Sequence, residues 1–337
     1  PTAIANASKI KNYWIWSSFA TKALNEMGHK HIKTVHGCIE SKHFFRLADK
    51  ERVNLRKQNN IEEDAFIIGF VFRNQLRKSV PNLLEGYAKW KKENKPKQKT
   101  YLLLHTYWKE GWGIHKIAAE YGISPEEILT THVCRKCRRY QVKKYSGEEQ
   151  DCSLCGNEKA QVTTNVGFGV RESQLNEIYN FMDVYCHPFT SGGQEIPIQE
   201  AKLTELITLV TDYSCGEENC EEGSESIPLE WSEYREHQTE FKKASTHPAS
   251  IAKEINSVYQ MDNTEKQERG KLARKWALDN FSVEVIGKFF EDFIDNAPET
   301  NYDFGKEGSK KGNKRNYPDA VVPHIESDSE WVLKLYK

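Results

Sequence analysis

Two sets of residues have the types and spacing to do chemistry. Cys134-Arg-Lys-Cys137 and Cys152-Ser-Leu-Cys155 are CxxC pairs separated by fourteen residues and followed by Gly156. Each such knuckle turns two thiolates inward, and four thiolates close a tetrahedral zinc site. A closed four-thiolate site is structural: the metal folds the loop and has no open position for catalysis. Two disulfides or a free-thiol loop are the other readings. No signal peptide opens the given sequence, so metal in a reducing cytoplasm is the expectation. The second set is a small-residue loop, Thr190-Ser191-Gly192-Gly193, followed by Glu195 and Glu200. A glycine loop that feeds a helix start presents backbone N–H groups and a positive dipole end to an anion. Glu200, one turn into that helix, would reach ribose hydroxyls beside the anion. An ordinary βαβ unit with a solvated glutamate fits the same residues.

The flanking patterns supply the elements that must position this loop. Arg171 to Met182 carries Leu175, Ile178, Tyr179 and Met182 on one helical stripe. Asp183 to His187 reads as a short buried strand closed by Pro188. A helix runs over Ile196 to Glu205 from about Pro197, a favourable first-turn residue, and Leu206 to Val210 is again an apolar strand. Upstream, Ser17-Ser18 caps a helix through Met27, Gly28 ends it, and Ile32 to Val35 is a short strand. Ala65 to Phe72 is a buried strand with Arg73 to Lys78 directly after it. Leu83, Leu84, Tyr87 and Trp90 then mark a helix, Thr100 to His105 a strand, and Ile114 to Tyr121 a helix ended by Gly122. Strands alternating with helices at this spacing predict an α/β, doubly wound parallel sheet of Rossmann-like type. Ligands bind such sheets at the carboxyl ends of the strands, where Arg73, Lys78, His105 and the Ser191–Gly193 loop all fall.

In this order the segments resemble the C-terminal, donor-binding half of GT-B glycosyltransferases of the large retaining family four (group 1). SSFATKALNEMG is similar to the segment that leads into that domain. FVFRNQLRKSVPNLLEGY resembles the family's G-R-x-x-x-x-K-G segment, and LLLHTYWKEGWGIHKIAAEYGI the strand-loop-helix after it. GGQEIPIQEA resembles E-G-F-G-L-P-x-x-E-A, the paired-glutamate motif. The likeness covers roughly residues 10 to 295, interrupted near 133–160. It implies a glycosyltransferase that moves a sugar from a nucleotide-activated donor, with retention, to an acceptor that the sequence does not identify. Arg73 and Lys78 would bind the diphosphate and neutralise charge on the leaving group. Ser191, Gly192, Gly193, Glu195 and Glu200 would line the donor site, Glu200 on the ribose. The first glutamate of the pair does not transfer: eight residues before Glu200 stands Gly192, although Glu195 lies nearby. The usual small-Gly pair further along reads Thr204-Glu205. This departure leaves a second reading open, a catalytically degenerate nucleotide-sugar-binding module whose zinc ribbon docks nucleic acid or protein.

The remaining patterns bound the partners. A net charge of -1 gives no global bias toward nucleic acid. Between the knuckles, however, Arg135, Lys136, Arg138, Arg139, Lys143 and Lys144 form a basic patch with Tyr140 and Tyr145 interleaved, fit for nucleic acid or for plain solvation. No run of about 18 apolar residues is present, so no membrane span is expected. Cys186 reads as a small core residue, and Cys215 and Cys220 flank an acidic stretch, Glu217 to Glu236, that reads as a solvated loop. His105 and His187 stand at strand ends near the proposed site, placed to hydrogen-bond donor or acceptor or, as the more common case, to serve as satisfied structural histidines. Pro248 to Val258 and Lys266 to Phe293 read as two helices, the second carrying Leu272, Trp276, Phe281, Val285, Phe289 and Phe293. In the family the final helix crosses back onto the N-terminal domain, and FSVEVIGKFFEDFI resembles that segment. The expected division is 1–30 as the end of an N-terminal domain or linker, and 31–296 as the nucleotide-sugar-binding domain. The zinc-ribbon insertion takes 132–160, a flexible linker 297–325, and the start of a further helical element 326–337. The sequence opens on Pro1 and reads as part of a longer protein, with an N-terminal Rossmann domain expected before it.

Overall fold

The computed structural model describes residues 7–165 and 167–297. The linker expected over 297–325, beyond its first residue, and the helical element expected over 326–337 lie outside the described residues.

Three apolar runs too short for stable helices build the centre of the sheet. Strand β3 (Phe66–Val71, after the short pair β1, Trp14–Ile15, and β2, Lys33–Thr34) is buried at every position. Strands β4 (Thr100–His105) and β5 (Ile128–Cys134) follow it in parallel, and all are covered on both faces, as parallel strands require. On the other side of β3 lie β9 (Val184–His187), β10 (Ile207–Thr211) and the edge strand β11 (Ile227–Leu229), all parallel. The order β11-β10-β9-β3-β4-β5 therefore reverses direction of growth between β3 and β9. That reversal is a topological switch point, where the crossover helices part to opposite faces and leave a crevice at the carboxyl ends.

Helix α1 (Ser18–Glu26) starts after Ser17 and ends at Met27, and α2 is Asp49–Gln58. Helices α3 (Val80–Asn94) and α4 (Ile114–Glu120) make the crossovers from β3 to β4 to β5. Helix α5 (Glu172–Asn180) precedes β9, and α6 (Ile196–Leu203) crosses to β10. Helix α7 (Cys215–Asn219) follows β10. Strands β12 (Trp231–Arg235) and β13 (Lys242–Thr246) form an antiparallel hairpin that leads to α8 (Pro248–Gln260). Helix α8 lies directly on α3. A Cβ at Gly86 would sit 2.6 Å from Ile251 Cγ2, so only glycine permits this approach. Tyr87 and Trp90 on α3 and Phe70, Tyr179, Tyr185 and Phe181 on the sheet and α5 are fully buried. At about 1.5–3 kcal/mol for each large apolar side chain, such burial is the main term holding the layers together.

Asp183, at the start of β9, locks α2 to the sheet. It accepts Arg56 Nη2 at 2.8–2.9 Å on both oxygens, Arg52 Nη2 at 3.3 Å, and the Ile67 amide at 2.9 Å. Arg56 also donates to the Glu63, Ala65 and Phe181 carbonyls. A cleft of about 660 Å³ opens beside this latch, lined by Arg52, Phe66, Asp183 and Ile207. It lies at the amino ends of the strands, away from the switch-point crevice, and its acids and bases largely offset one another.

Two expectations are corrected. The helix expected over Lys266 to Phe293 is two: α9 (Asn263–Phe281) stops at Ser282, whose ψ of 155° is extended, and α10 (Val283–Asp295) restarts. The acidic stretch Glu217 to Glu236 is not a loop. Its polar alternation builds β12, its apolar Ile227 and Leu229 build the edge strand β11, and α7 opens it.

Candidate functional site

The switch-point crevice is shaped by three chain segments. After β3 the chain makes a tight turn over Leu76–Lys78, and Ser79 then adopts left-handed backbone (φ 46°) to start α3. The Thr190 amide donates to the Arg77 carbonyl at 2.8 Å, which docks this turn onto the loop after β9. That loop carries Ser191, Gly192 and Gly193 to the amino end of α6. The Ser214 hydroxyl donates to the Gly192 carbonyl at 2.9 Å and accepts from its amide at 3.4 Å. Gln194 clamps the loop from the far side: its amide group donates to the Gly37 carbonyl at 2.7 Å and accepts the Gly37 N–H at 2.6 Å.

Inside the crevice, Lys78 and Arg77 both donate to Glu195, one cation on each carboxylate oxygen. The Lys78 and Glu195 side chains are each 4% exposed, whereas Arg77 is 40% exposed and opens the cluster to solvent. His187, at the end of β9, completes it, with Nε2 3.1 Å from Glu195 and 3.4 Å from Lys78 Nζ. Its Nδ1 lies 2.9 Å from the Tyr185 hydroxyl. With the proton on Nε2, the neutral ring donates to Glu195; the one proton of the Tyr185 hydroxyl is shared between Nδ1 and the Val71 carbonyl, 3.1 Å from that hydroxyl. Burial, reinforced by the Lys78 charge, holds His187 down to about 4, so it is neutral at pH 7. Burial alone would raise the Glu195 carboxyl. The His187 hydrogen bond and the Lys78 and Arg77 charges outweigh it and hold the group well below the usual carboxylate range. Burial lowers the Lys78 ammonium from its ordinary value, and the Glu195 carboxylate opposes that.

Glu200 lies on α6 behind this cluster. The Tyr179 hydroxyl donates to it at 2.7 Å, and burial pushes its carboxyl up to about 7. Arg73 takes a different course. It pairs with Glu110 at 3.0 Å with its side chain 54% exposed, and its partners are not those of Lys78. The expected site residues Lys78, Glu195 and the Ser191–Gly193 loop are thus brought to one crevice with Glu200 beside it. Arg77 is a member that the spacing argument passed over, and His187, expected at a strand end near the site, joins the cluster itself. Adjacency to Lys78 and a strand-end position were the available signals. His105 donates to or accepts from Thr131 at 3.0 Å and is held down to about 4 by burial, a structural histidine.

The cysteine cluster forms at the far edge of the sheet. Strand β5 ends at Cys134, and β6 (Tyr140–Lys144) returns antiparallel to it. The second knuckle lies between β7 (Glu149–Gln150) and β8 (Gln161–Thr163), which also joins β5. The four Sγ atoms lie within 4.8 Å of one another, with Cys134–Cys155 at 3.7 Å and Cys137–Cys152 at 3.9 Å. A tetrahedron with metal–sulfur bonds of about 2.3 Å has edges of about 3.8 Å. A disulfide needs about 2.05 Å, and all eight cysteines are free thiols. Backbone N–H groups of Lys136 and Cys137 point at Cys134 Sγ (3.3 and 3.4 Å), and the Asn157 amide at Cys155 Sγ (3.2 Å) pulls that thiol down to about 6. The donor set fits a thiolate-binding metal.

Four of the six basic residues between the knuckles are engaged individually. Arg135 pairs with Glu149, Lys144 with Glu126, Lys143 with Gln161, and Arg138 lies over the Phe168 ring at 4.2 Å. Tyr145 stacks on Trp108 at 3.8 Å, and Tyr140 donates to Glu177. The two tyrosines therefore serve the fold and are not presented for stacking on bases.

The sequence matches no known family profile and no curated protein. Among solved structures it is similar to HepE from Anabaena, determined with UDP and glucose. The identity is 13% and the TM-score 0.61, over 88% of this chain and 66% of HepE. A glycosyltransferase from Rickettsia africae matches at 12% identity and TM-score 0.60, over 85% of this chain and 64% of that one. Sucrose-phosphate synthase from Thermosynechococcus elongatus matches at 14% and 0.60, over 88% and 62%. The likeness is one of fold: the chain has the Rossmann-like fold of GT-B glycosyltransferases. It spans just under two thirds of the length of each of these proteins. Among the described residues no helix is long and apolar enough to cross a membrane.

Proposed function

We propose that this chain binds a nucleotide-activated sugar at the switch-point crevice and forms the donor half of a glycosyltransferase. The carrying observation is the convergence of Lys78 and Arg77 with the Gly192–Gly193 loop and the amino end of α6. Two cations beside a helix N-terminus stabilise the charge that develops on a diphosphate as its bond to the sugar breaks. Glu200, next to that loop, would hold the ribose hydroxyls. Arg73 has the family's spacing but is held by Glu110, so Arg77 takes its place in this reading. Retention follows from the resemblance, and the acceptor site would come from an N-terminal Rossmann domain. UDP, found with HepE, is the first nucleotide to try. We further propose that the four cysteines hold zinc as a structural ion, with Cys134, Cys137, Cys152 and Cys155 as ligands.

The glycine at 192 favours the second reading, a nucleotide-sugar-binding module without transfer activity, because no carboxylate reaches the donor sugar from that position. Calorimetric titration of UDP into the wild type and Lys78→Ala tests the shared part: binding in the first and weaker binding in the second. No binding of UDP or any other nucleoside diphosphate to the wild type would defeat both readings.

A further inference from the structure

Glu195 is placed at a conformational cost. It caps α6 with φ 56°, in the left-handed region that non-glycine residues seldom adopt, and such outliers persist where the surroundings over-determine them. What holds it is the anion site itself. One carboxylate oxygen receives Arg77 and the other Lys78, with His187 at 3.1 Å. The cluster thus has two cations satisfied by one internal anion. Two carboxylate oxygens meet such a pair in the way that two phosphate oxygens would.

A second observation fixes how the carboxylate reaches this position. A Cβ built at Gly192 would lie 2.5 Å from Glu195 Oε1 and 2.9 Å from its Cγ. The Glu195 side chain therefore fills the space that any side chain at 192 would enter. At the next residue, Gly193, a Cβ would meet nothing within 4 Å, so open space lies beside the loop. Arg77, the exposed member of the pair, gives an incoming anion its first contact.

We propose that Glu195 is the resident anion of the Arg77–Lys78 site, and that a phosphate-bearing ligand binds by displacing its carboxylate toward the Gly193 side of the loop. The nucleotide part of that ligand rests on the function proposed above; the displacement does not. Glu195 then sets the affinity of the site. The apparent dissociation constant is the intrinsic one divided by the fraction of molecules in which the carboxylate has left the cations. A purely structural ion pair makes the opposite prediction, because breaking it would loosen the site and weaken anion binding.

Calorimetric titration of inorganic pyrophosphate and of UDP into the wild type, Glu195→Gln and Gly192→Ala decides the matter. Glu195→Gln removes the competing charge. Gly192→Ala leaves Glu195 in the chain and crowds its carboxylate away from the cations, so the question stays answerable should Glu195→Gln fail to fold. Both variants should bind pyrophosphate about tenfold or more tightly than the wild type, as expected if the open form is a minor population. Pyrophosphate should also raise their melting temperatures by more than it raises the wild type's. Equal or weaker pyrophosphate binding in the variants, or none in any form, overturns the proposal. Tighter pyrophosphate binding with no UDP binding in any form upholds the resident anion and removes the nucleotide-sugar reading instead.

Discussion

The Tyr179 hydroxyl donates to Glu200 Oε2 at 2.7 Å, tying the last turn of α5 to the first turns of α6 behind the crevice. Glu200 is half-buried, and the desolvation of its carboxyl pushes it up from 4.5 to about 7. The folded protein therefore keeps this proton across a window in which the unfolded chain has already released it. By linkage, the wild type loses stability from this group as pH rises from about 4.5 to 7. Glu200→Gln has no such proton. Urea unfolding at both pH values should show the variant gaining on the wild type by roughly 1–3 kcal/mol across the window. Parallel pH curves would mean that Glu200 is not buried as described. In nucleotide titrations Glu200→Gln, which keeps an acceptor oxygen, should weaken binding less than Glu200→Ala. An alanine variant that binds as the wild type does would remove Glu200 from the ribose site.

The cations after β3 are expected to divide sharply. Lys78→Ala removes a buried donor to Glu195 and should weaken UDP binding by about 1.5–3 kcal/mol, the range for a charged hydrogen bond. Arg73→Ala breaks only an exposed pair with Glu110 and should change stability by about 0–1 kcal/mol and UDP binding little. Equal losses in the two variants, measured by calorimetry, would show that Arg73 swings to the ligand.

The difference between these two cations marks where the sequence stops being informative. Buried parallel strands announce themselves as short aliphatic runs, so β3, β4 and β9 were legible almost to the residue, and helices such as α3 by their 3.6-residue stripe. The Cys₄ spacing was legible because both knuckles are local. By contrast, Lys78 finds Glu195 across 117 residues, and no periodicity in either segment reports that pairing. The tight turn over 76–78 is what carries Arg77 to the carboxylate and leaves Arg73 outside, and it depends on left-handed backbone at Ser79. Strands β6 to β8 were hidden for a related reason. They are short and polar, and their register is set by β5, on which β6 and β8 pair directly and β7 through β8. In β12, solvent takes most side chains and leaves only the alternation of an exposed hairpin.

The latch at the other end of the sheet should be costly to break. Asp183→Asn keeps the shape but halves the acceptor capacity and leaves the buried Arg56 guanidinium without its counter-ion. Removing one partner of a buried pair typically costs about 3–5 kcal/mol, and the half-exposed edge of this one places the expectation at the lower end. Chemical unfolding should report it, together with early loss of α2. A cost within the range of surface substitutions, about 0.5 kcal/mol or less, would show that α2 is held by packing alone.

The cysteine cluster yields the last prediction. Four thiols within 4.8 Å of one another, two pairs of them at 3.7 and 3.9 Å, gain little from converging without an ion, because uncoordinated thiolates repel one another and neutral thiols form only weak hydrogen bonds. Purified protein should therefore carry about one zinc per chain by elemental analysis, as a closed four-thiolate site requires. Cys134→Ser removes the buried ligand at the end of β5, so it should lose the metal and release β6 to β8 from the sheet edge. Amide exchange should then quicken over those strands while β3, β4 and β9 keep their protection, since none of those three strands pairs with β6 to β8. A chelator should have the same local effect on the wild type, reversed by adding zinc back. Metal-free native protein with all four thiols freely titratable would rule out the zinc assignment, and so would a Cys134→Ser variant with unchanged exchange over 140–163.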